Sequence, residues 1–321
     1  GVIFPRLSYE NHLRIIEQER VLGEVFSDFA YNRLQDVPGA QRGIVSGGVS
    51  SAYVREGLAD TQDAVRTLEL AVPHPLPERL VRKFLTGLTD VLVVEELDPV
   101  LEDALLRLCG QYHLAVTIHG RSTGETKIAG ANHYEDVRAA VDGFMGREPQ
   151  AKEKPALPPL PVRPPVLCAG CPHRGSFYAV KTAMKRQKED AVFTGDIGCY
   201  TLGNAKPLDM VDTCLCMGAG VTMAQGFHWV DKDATCFAFI GDSTFFHSGI
   251  TGLIDAVVNK APIVINILDN RITAMTGHQE NPGSGHTLLG EISTQVRVAD
   301  VARAFGIRRV HEVEPYDLAA L

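Results

Sequence analysis

What this sequence lacks narrows the field first. No apolar run approaches the roughly twenty residues that a membrane-spanning helix needs, and no segment at the start has the make-up of a signal peptide. Base is not in surplus: 31 Lys and Arg face 39 Asp and Glu, a net charge of −8. That balance speaks against a general nucleic-acid or anionic-membrane surface. The seven cysteines are odd in number and unevenly spaced, unlike the framework of a secreted disulfide domain. A reducing, cytoplasmic compartment is expected instead. Neither a Gly-x-x-x-x-Gly-Lys-Ser/Thr loop nor a Gly-x-Gly-x-x-Gly fingerprint occurs, so the common nucleotide folds find no support. Internal repeats are absent too.

What remains is an ordinary globular composition, 45% hydrophobic and 22% charged, in a length of 321 residues that allows two or three domains with ample core. The chain starts at Gly1 rather than Met and stops at Leu321, just after an expected strand and the start of a helix. It is expected to be a piece of a longer polypeptide.

Taken in order, periodicity predicts a helix from Ser8 to about Leu34, with Leu22, Val25, Phe26 and Phe29 on one face. A strand entering the Gly47-Gly48 turn follows, then strands and helices alternate up to a helix over Tyr134 to Phe144. Such alternation gives an α/β domain with a mostly parallel sheet over residues 1–146. Gly47-Gly48 is either a phosphate cradle or a plain tight turn. Glu95-Glu96 reads as a solvated edge or a partner contact. Residues 147–166 shift sharply in composition, with six prolines from Pro155 to Pro165, and read as a semi-rigid spacer. A second α/β domain occupies 167–321.

Its centre is Cys236 to Gln279. An apolar run ends at Gly241-Asp242, a helical pattern carries Ile250, Leu253, Ile254, Val257 and Val258, and a second buried run, Ile263 to Leu268, ends at Asp269-Asn270. Strand, helix and strand must cross over right-handedly, so Asp242 and Asn270 emerge at one sheet edge. Ligands of open α/β sheets bind at that edge. Asp242, Asn270 and the backbone carbonyl of Ile272 are hard oxygen donors suited to magnesium that also holds phosphate oxygens. The plain alternative is two turns closing two strands.

Five cysteines, Cys168, Cys171, Cys199, Cys214 and Cys216, crowd into one third of the chain. Pro172 separates Cys171 from His173, which excludes a haem-attachment motif. Zinc would want a second close pair, and a thioredoxin-like pair would follow a strand. Buried structural thiols remain an open reading. Cys199, in a glycine loop at a strand end, belongs to the same sheet edge. Three thiolates converging there would hold most of an iron–sulfur cluster. Cys214 and Cys216 are expected to be packing residues, and Cys109 and Cys236 core residues. His247 stands one turn after Gly241-Asp242, where a substrate carboxylate would be met. His173 and His278 flank the two motifs. Structural hydrogen bonds are the alternative for each.

Gly241-Asp242 followed by Asn270 resembles the diphosphate–magnesium motif of thiamine diphosphate enzymes, with Ser243 where those usually carry glycine. The string GDSTFFHSGITGL…ILDNRITAMTGHQ is similar to the large subunits of indolepyruvate-type 2-oxoacid:ferredoxin oxidoreductases. That resemblance implies a transketolase C-terminal-like domain followed by a thiamine diphosphate-binding fold of the diphosphate side. It implies oxidative decarboxylation of an aryl 2-oxoacid to acyl-CoA, with electrons leaving through iron–sulfur clusters to ferredoxin. The cofactors implied are thiamine diphosphate, Mg2+ and a proximal 4Fe–4S cluster. Asp242, Asn270 and Ile272 would hold the magnesium, while Gly198, Gly218, Gly241, Ser243 and Thr273 would approach the cofactor. Cys168, Cys171 and Cys199 match three cluster ligands. The family's fourth lies nearer the C-terminus, and no cysteine occurs here after Cys236, so that ligand is cut away, Cys214 or Cys216 substitutes for it, or the cluster is absent. Implied partners are the smaller (beta) subunit, ferredoxin, CoA and the 2-oxoacid, in a dimer or hetero-oligomer. The family's pyrimidine-binding domain and its C-terminal cysteine-rich segment are not matched, so the chain alone is expected not to turn over. Two rivals are a non-oxidative thiamine diphosphate decarboxylase or lyase and a non-catalytic assembly module.

Overall fold

A computed structural model describes residues 4–148 and 158–320 apart from positions 60, 62, 63, 189 and 318. Two units divide the chain, Gly1–Ala156 and Leu157–Leu321. The stretch expected to link them lies in part, at 149–157, outside the described residues. From 158 to 166 it is exposed and has neither helix nor strand.

The first unit runs α1 (Pro5–Phe26), β1 (Arg33–Gln35), β2 (Arg42–Gly47), α2 (Ser50–Leu58), β3 (Val65–Leu70), α3 (Glu78–Leu85), β4 (Asp90–Val94), α4 (Val100–Tyr112), β5 (Thr117–His119) and α5 (Tyr134–Met145). The sheet order is β1-β3-β2-β4-β5, parallel except for β1. Alternation along the strands fills both faces. Val45, Val91 and Val93 pack with Val81 and Phe84 of α3 and Leu101, Leu105 and Leu108 of α4. Ile44, Leu92 and Val94 pack with Val54 of α2 and Val137 and Val141 of α5.

Three expectations need correction here. The first helix ends at Phe26, and Leu34 belongs to the antiparallel edge strand β1. Its supposed apolar face is open, with Leu22, Val25 and Phe29 all exposed, because Gly23 is the residue of α1 that is buried. Glu95, read as a solvated edge or a partner contact, instead accepts the Leu101 and Glu102 N–H groups at 2.8 and 2.9 Å. It thereby satisfies donors that the first turn of α4 leaves free. Glu96 accepts the Asn132 N–H at 2.7 Å.

The second unit runs α6 (Pro172–Gln187), β6 (Ala191–Thr194), a 3-10 turn (Cys199–Asn204), α7 (Ala219–Val230), β7 (Thr235–Gly241), α8 (Asp242–Thr244), a π turn (Phe245–Gly249), α9 (Ile250–Val258), β8 (Val264–Leu268) and α10 (Val298–Ala304). Its three strands are parallel in the order β6-β7-β8, so the crossover predicted for the central stretch is present. Phe237 and Phe239 of β7 face Phe177 and Met184 of α6. On the other face, Cys236, Ala238 and Ile240 meet Val221 and Ala224 of α7 and Leu253 of α9. Phe239 is fully buried, a contribution of about 1.5–3 kcal/mol from area alone. The strand predicted over Ile263 to Leu268 is an edge strand with Val264 exposed, rather than a fully buried one. No strand follows α10 among the described residues, although one was expected.

Candidate functional site

Parallel register brings the carboxyl ends of β6, β7 and β8 together: Thr194 pairs with Ala238, and Gly241 with Leu268. The loops leaving those ends are Gly195 to Cys199, Gly241 to Thr244 and Asp269 to Thr273.

Asp242 is 2% exposed, and its Oδ2 accepts the Asn281 Nδ2 donor at 2.9 Å. Asn281 is itself buried and fixed, its Oδ1 accepting the Gly283 N–H at 2.8 Å. Burial pushes the Asp242 carboxyl above its ordinary range. The Asn281 bond opposes that, and the nearby Asp269 charge pushes it up again. An anion so disfavoured is one that a bound cation would stabilise strongly. Ser243 Oγ and Thr273 Oγ1 lie 2.7 Å apart and join the loops after β7 and β8.

Asn270 follows β8 at the same sheet edge. It is exposed, and its Oδ1 accepts the Ile272 N–H at 3.2 Å, closing a turn on itself. The Ile272 carbonyl accepts the Ala274 N–H at 3.1 Å. His247 is exposed on the π turn, and His278 is exposed at φ 63°. His173 is buried, and burial holds it below its ordinary pKa.

Asp196 has no exposed surface. Its carboxylate accepts the Gly218 N–H through both oxygens at 2.9 and 2.8 Å, the Ile197 N–H at 2.8 Å and the Gly220 N–H at 3.2 Å. Gly218 and Gly220 stand at the start of α7, so an internal carboxylate already occupies that positive helix end. Glycine is required at 218, where φ is 88° and a Cβ would lie 2.5 Å from Ser248 Oγ.

Tyr200 sits in the middle of this edge, 5% exposed. Its hydroxyl donates to the Ile197 carbonyl at 2.9 Å and lies 2.9 Å from Thr244 Oγ1. Burial pushes the phenol up to about 12. A Cβ on Gly198 or Gly241 would meet its ring at 2.4 or 2.5 Å, so both glycines make room for the tyrosine.

All seven cysteines are free. Cys199 is half-buried, and its thiol is pushed up by burial and then by the charges of Cys171 and Cys168. Among the described residues, however, no three His, Cys, Asp or Glu side chains are gathered at metal-holding distance. Cys214 and Cys216, expected to pack, are exposed, because the loop before α7 runs outside the core. Cys109 and Cys236 are core residues as expected.

Asn281, Asp196, Thr244 and Tyr200 are the site-lining residues that sequence reasoning passed over. Asn281 had one signal, the Asn-Pro-Gly turn that it opens. Tyr200 had none beyond adjacency to Cys199.

Residues 196–320 match the thiamine pyrophosphate enzyme C-terminal TPP-binding domain. The α/β fold of this part of the chain, with its parallel strands, agrees with that match.

Over most of its length the chain is a relative of the indolepyruvate oxidoreductase subunits IorA. It is 37% identical over 309 residues to that of Methanothermobacter thermautotrophicus, covering 95% of this chain and 48% of the relative. To that of Archaeoglobus fulgidus it is 40% identical over 283 residues, covering 86% and 44%. The chain thus spans about half the length of the curated relatives it matches. Among solved structures, 2-oxoglutarate:ferredoxin oxidoreductase from Magnetococcus marinus aligns with TM-score 0.38 at 20% identity, over 45% of this chain and 52% of that one. A thiamine diphosphate-dependent 4-hydroxybenzoylformate decarboxylase from Rhodococcus jostii aligns with TM-score 0.34 at 16% identity, over 94% and 60%. No helix among the described residues is long and apolar enough to cross a membrane.

Proposed function

We propose that this chain supplies the diphosphate and magnesium side of a thiamine diphosphate site, and the first thiols of an electron path, in a 2-oxoacid:ferredoxin oxidoreductase acting on indolepyruvate-type aryl 2-oxoacids. Its partners are a smaller subunit, ferredoxin, CoA and the 2-oxoacid. The observation that carries the reading is Asp242: a carboxylate buried at the carboxyl edge of a parallel sheet, held by Asn281 and faced by a second acid, within a matched thiamine pyrophosphate-binding domain.

The residues fit the groups. Asp242 offers a hard anionic oxygen to magnesium, and the Ser243 and Thr273 hydroxyls stand beside it as further oxygen donors. Asn270 and the Ile272 carbonyl would complete the set by turning out of the bonds that they now make. When bound, thiamine diphosphate supplies the carbanion-stabilising chemistry of decarboxylation. Asp242 would hold the metal, and the bond from Asn281 fixes that carboxylate. Gly198, Gly218 and Gly241 keep the strand-end loops close-packed around it. Cys168, Cys171 and Cys199 have the donor chemistry for three positions of a 4Fe–4S cluster. Residues 1–146 form the transketolase C-terminal-like domain, 147–166 the linker and 167–321 the cofactor domain. The cytoplasm suits these thiols. His247 is an exposed candidate for meeting the substrate carboxylate.

Calorimetric titration with Mg2+ and thiamine diphosphate tests the site. Saturable binding that Asp242→Ala abolishes is the expected result. An Asp242→Ala chain that binds equally well would refute the assignment. Iron and acid-labile sulfide in anaerobically purified protein test the thiols, and protein free of iron after reconstitution would favour a non-oxidative thiamine diphosphate enzyme.

A further inference from the structure

The Cys199 turn and the Asp242 loop share one side chain. Tyr200 follows Cys199 directly, and its hydroxyl ties the Ile197 carbonyl of its own turn to Thr244 Oγ1, two residues beyond Asp242. Its ring lies against Gly241, the residue before Asp242. The same ring meets His173 edge-on at 6.2 Å, and His173 is two residues beyond Cys171. One buried phenol therefore touches the segments carrying Cys171, Cys199 and Asp242. A second hydroxyl fixes the turn from within: Thr201 Oγ1 donates to the Asp196 carbonyl at 2.5 Å and accepts the Gly198 N–H at 3.1 Å. Neither Gly198 nor Gly241 has space for the ring to move toward it. A shift of the Asp242 loop must then move the turn that carries Cys199.

We infer that Tyr200 is a positioning residue that couples the Asp242 site to the Cys168, Cys171 and Cys199 thiols, so that occupancy of the first sets the geometry of the second. The inference rests on the site proposed above for its ligand, but the contact itself needs no ligand. Buried and tightly packed, the link transmits displacement because close-packed groups cannot absorb it locally.

The test follows alkylation of Cys199 by iodoacetamide, resolved by peptide mass spectrometry, in the full chain. Without ligand, Tyr200→Phe and Thr244→Val each remove one end of the bond. Both are expected to raise the Cys199 rate about fivefold, the factor that one buried neutral hydrogen bond of ~1 kcal/mol carries. The rate at exposed Cys216 serves as the reference and stays unchanged. With Mg2+ and thiamine diphosphate, the unaltered chain should change its Cys199 rate, and Tyr200→Phe should bind the ligand and lose that change. A Thr244→Val chain that melts like its parent and leaves the Cys199 rate untouched overturns the coupling. So does a ligand effect on Cys199 that survives in Tyr200→Phe. If the ligand-free variants shift Cys199 while the unaltered chain binds no thiamine diphosphate, the coupling stands and the cofactor reading fails.

Discussion

In the first unit Glu102 is 1% exposed, and its two oxygens accept the backbone N–H groups of Arg121 and Ser122 at 2.9 and 3.0 Å. In the second unit Asp242 is 2% exposed, yet the strongest bond to its carboxylate comes from the side chain of Asn281, ahead of the backbone donors of its own turn, with another acid close by. Both are buried acids, but they do different work. Glu102 closes a loop and is consumed by it, because both oxygens hold backbone donors. Asp196 belongs with Glu102, since its oxygens take the N–H groups of Ile197, Gly218 and Gly220. A carboxylate spent on backbone is architecture; one fixed by a side chain and pressed by a like charge is poised for a cation.

The sharpest way to break that comparison is Asp196→Ala. It leaves the buried Gly218 and Gly220 N–H groups at the start of α7, and the part-buried Ile197 N–H, without their acceptor, an expected loss of about 3 kcal/mol or more. Urea unfolding reads it directly, and a loss within about 0.5 kcal/mol, the scatter of surface changes, would show that Asp196 holds nothing. Asn281→Ala comes next. Removing an outer-shell partner of a metal ligand should weaken binding of Mg2+ with thiamine diphosphate about 10–100-fold, with a smaller fall in stability. Calorimetry distinguishes the two effects. Unchanged affinity would place Asn281 with the architectural residues.

The same contrast explains what the sequence made legible. The strand–helix–strand unit, the shared edge of Asp242 and Asn270 and the core cysteines follow from period and from the handedness of crossovers, which are local and general rules. Tyr200 and Asn281 do not, because their roles come from contacts 44 and 39 residues away in sequence. Neither residue type carries a chemical signature in isolation. Asn270 shows the reverse case: its type and place at a strand end were legible, while the bond that its side chain makes to its own backbone was not. The overlong first helix arose because Leu22, Val25 and Phe29 have helical spacing whether or not anything covers them.

Asp242→Asn sharpens the comparison by its sign. The folded chain raises this carboxyl above its ordinary value, so its ionised form is disfavoured in the fold and stability falls as pH rises through that window. An amide keeps the bond from Asn281 and removes the charge, so the variant should be about 1 kcal/mol more stable at neutral pH while losing the metal. A thermal shift in the opposite direction would mean that Asp242 is structural like Asp196.

The smallest expected effect is a control in the first unit, where charge is satisfied rather than poised. His119 bonds Glu125 through Nδ1 at 3.0 Å and Asp90 through Nε2 at 3.1 Å. Burial opposes its positive charge, but the bonds from Asp90 and Glu125 outweigh burial and hold it above its ordinary value. Thr89 and His119 hold the Asp90 carboxyl below its own. A raised histidine stabilises the fold fully below its unfolded value of about 6.5, and that share is lost as pH rises through the folded value. The lowered Asp90 acts at the other end, its share present above about 3.9 and lost as pH falls through the folded value. With the site a quarter exposed, solvent screening keeps the histidine's share to about 1 kcal/mol or less. Unfolding midpoints from mildly acidic to mildly alkaline pH should therefore decline slightly in the parent and flatten in His119→Gln. Equal slopes would mean that Asp90 and Glu125 do not hold a charged His119 in the fold.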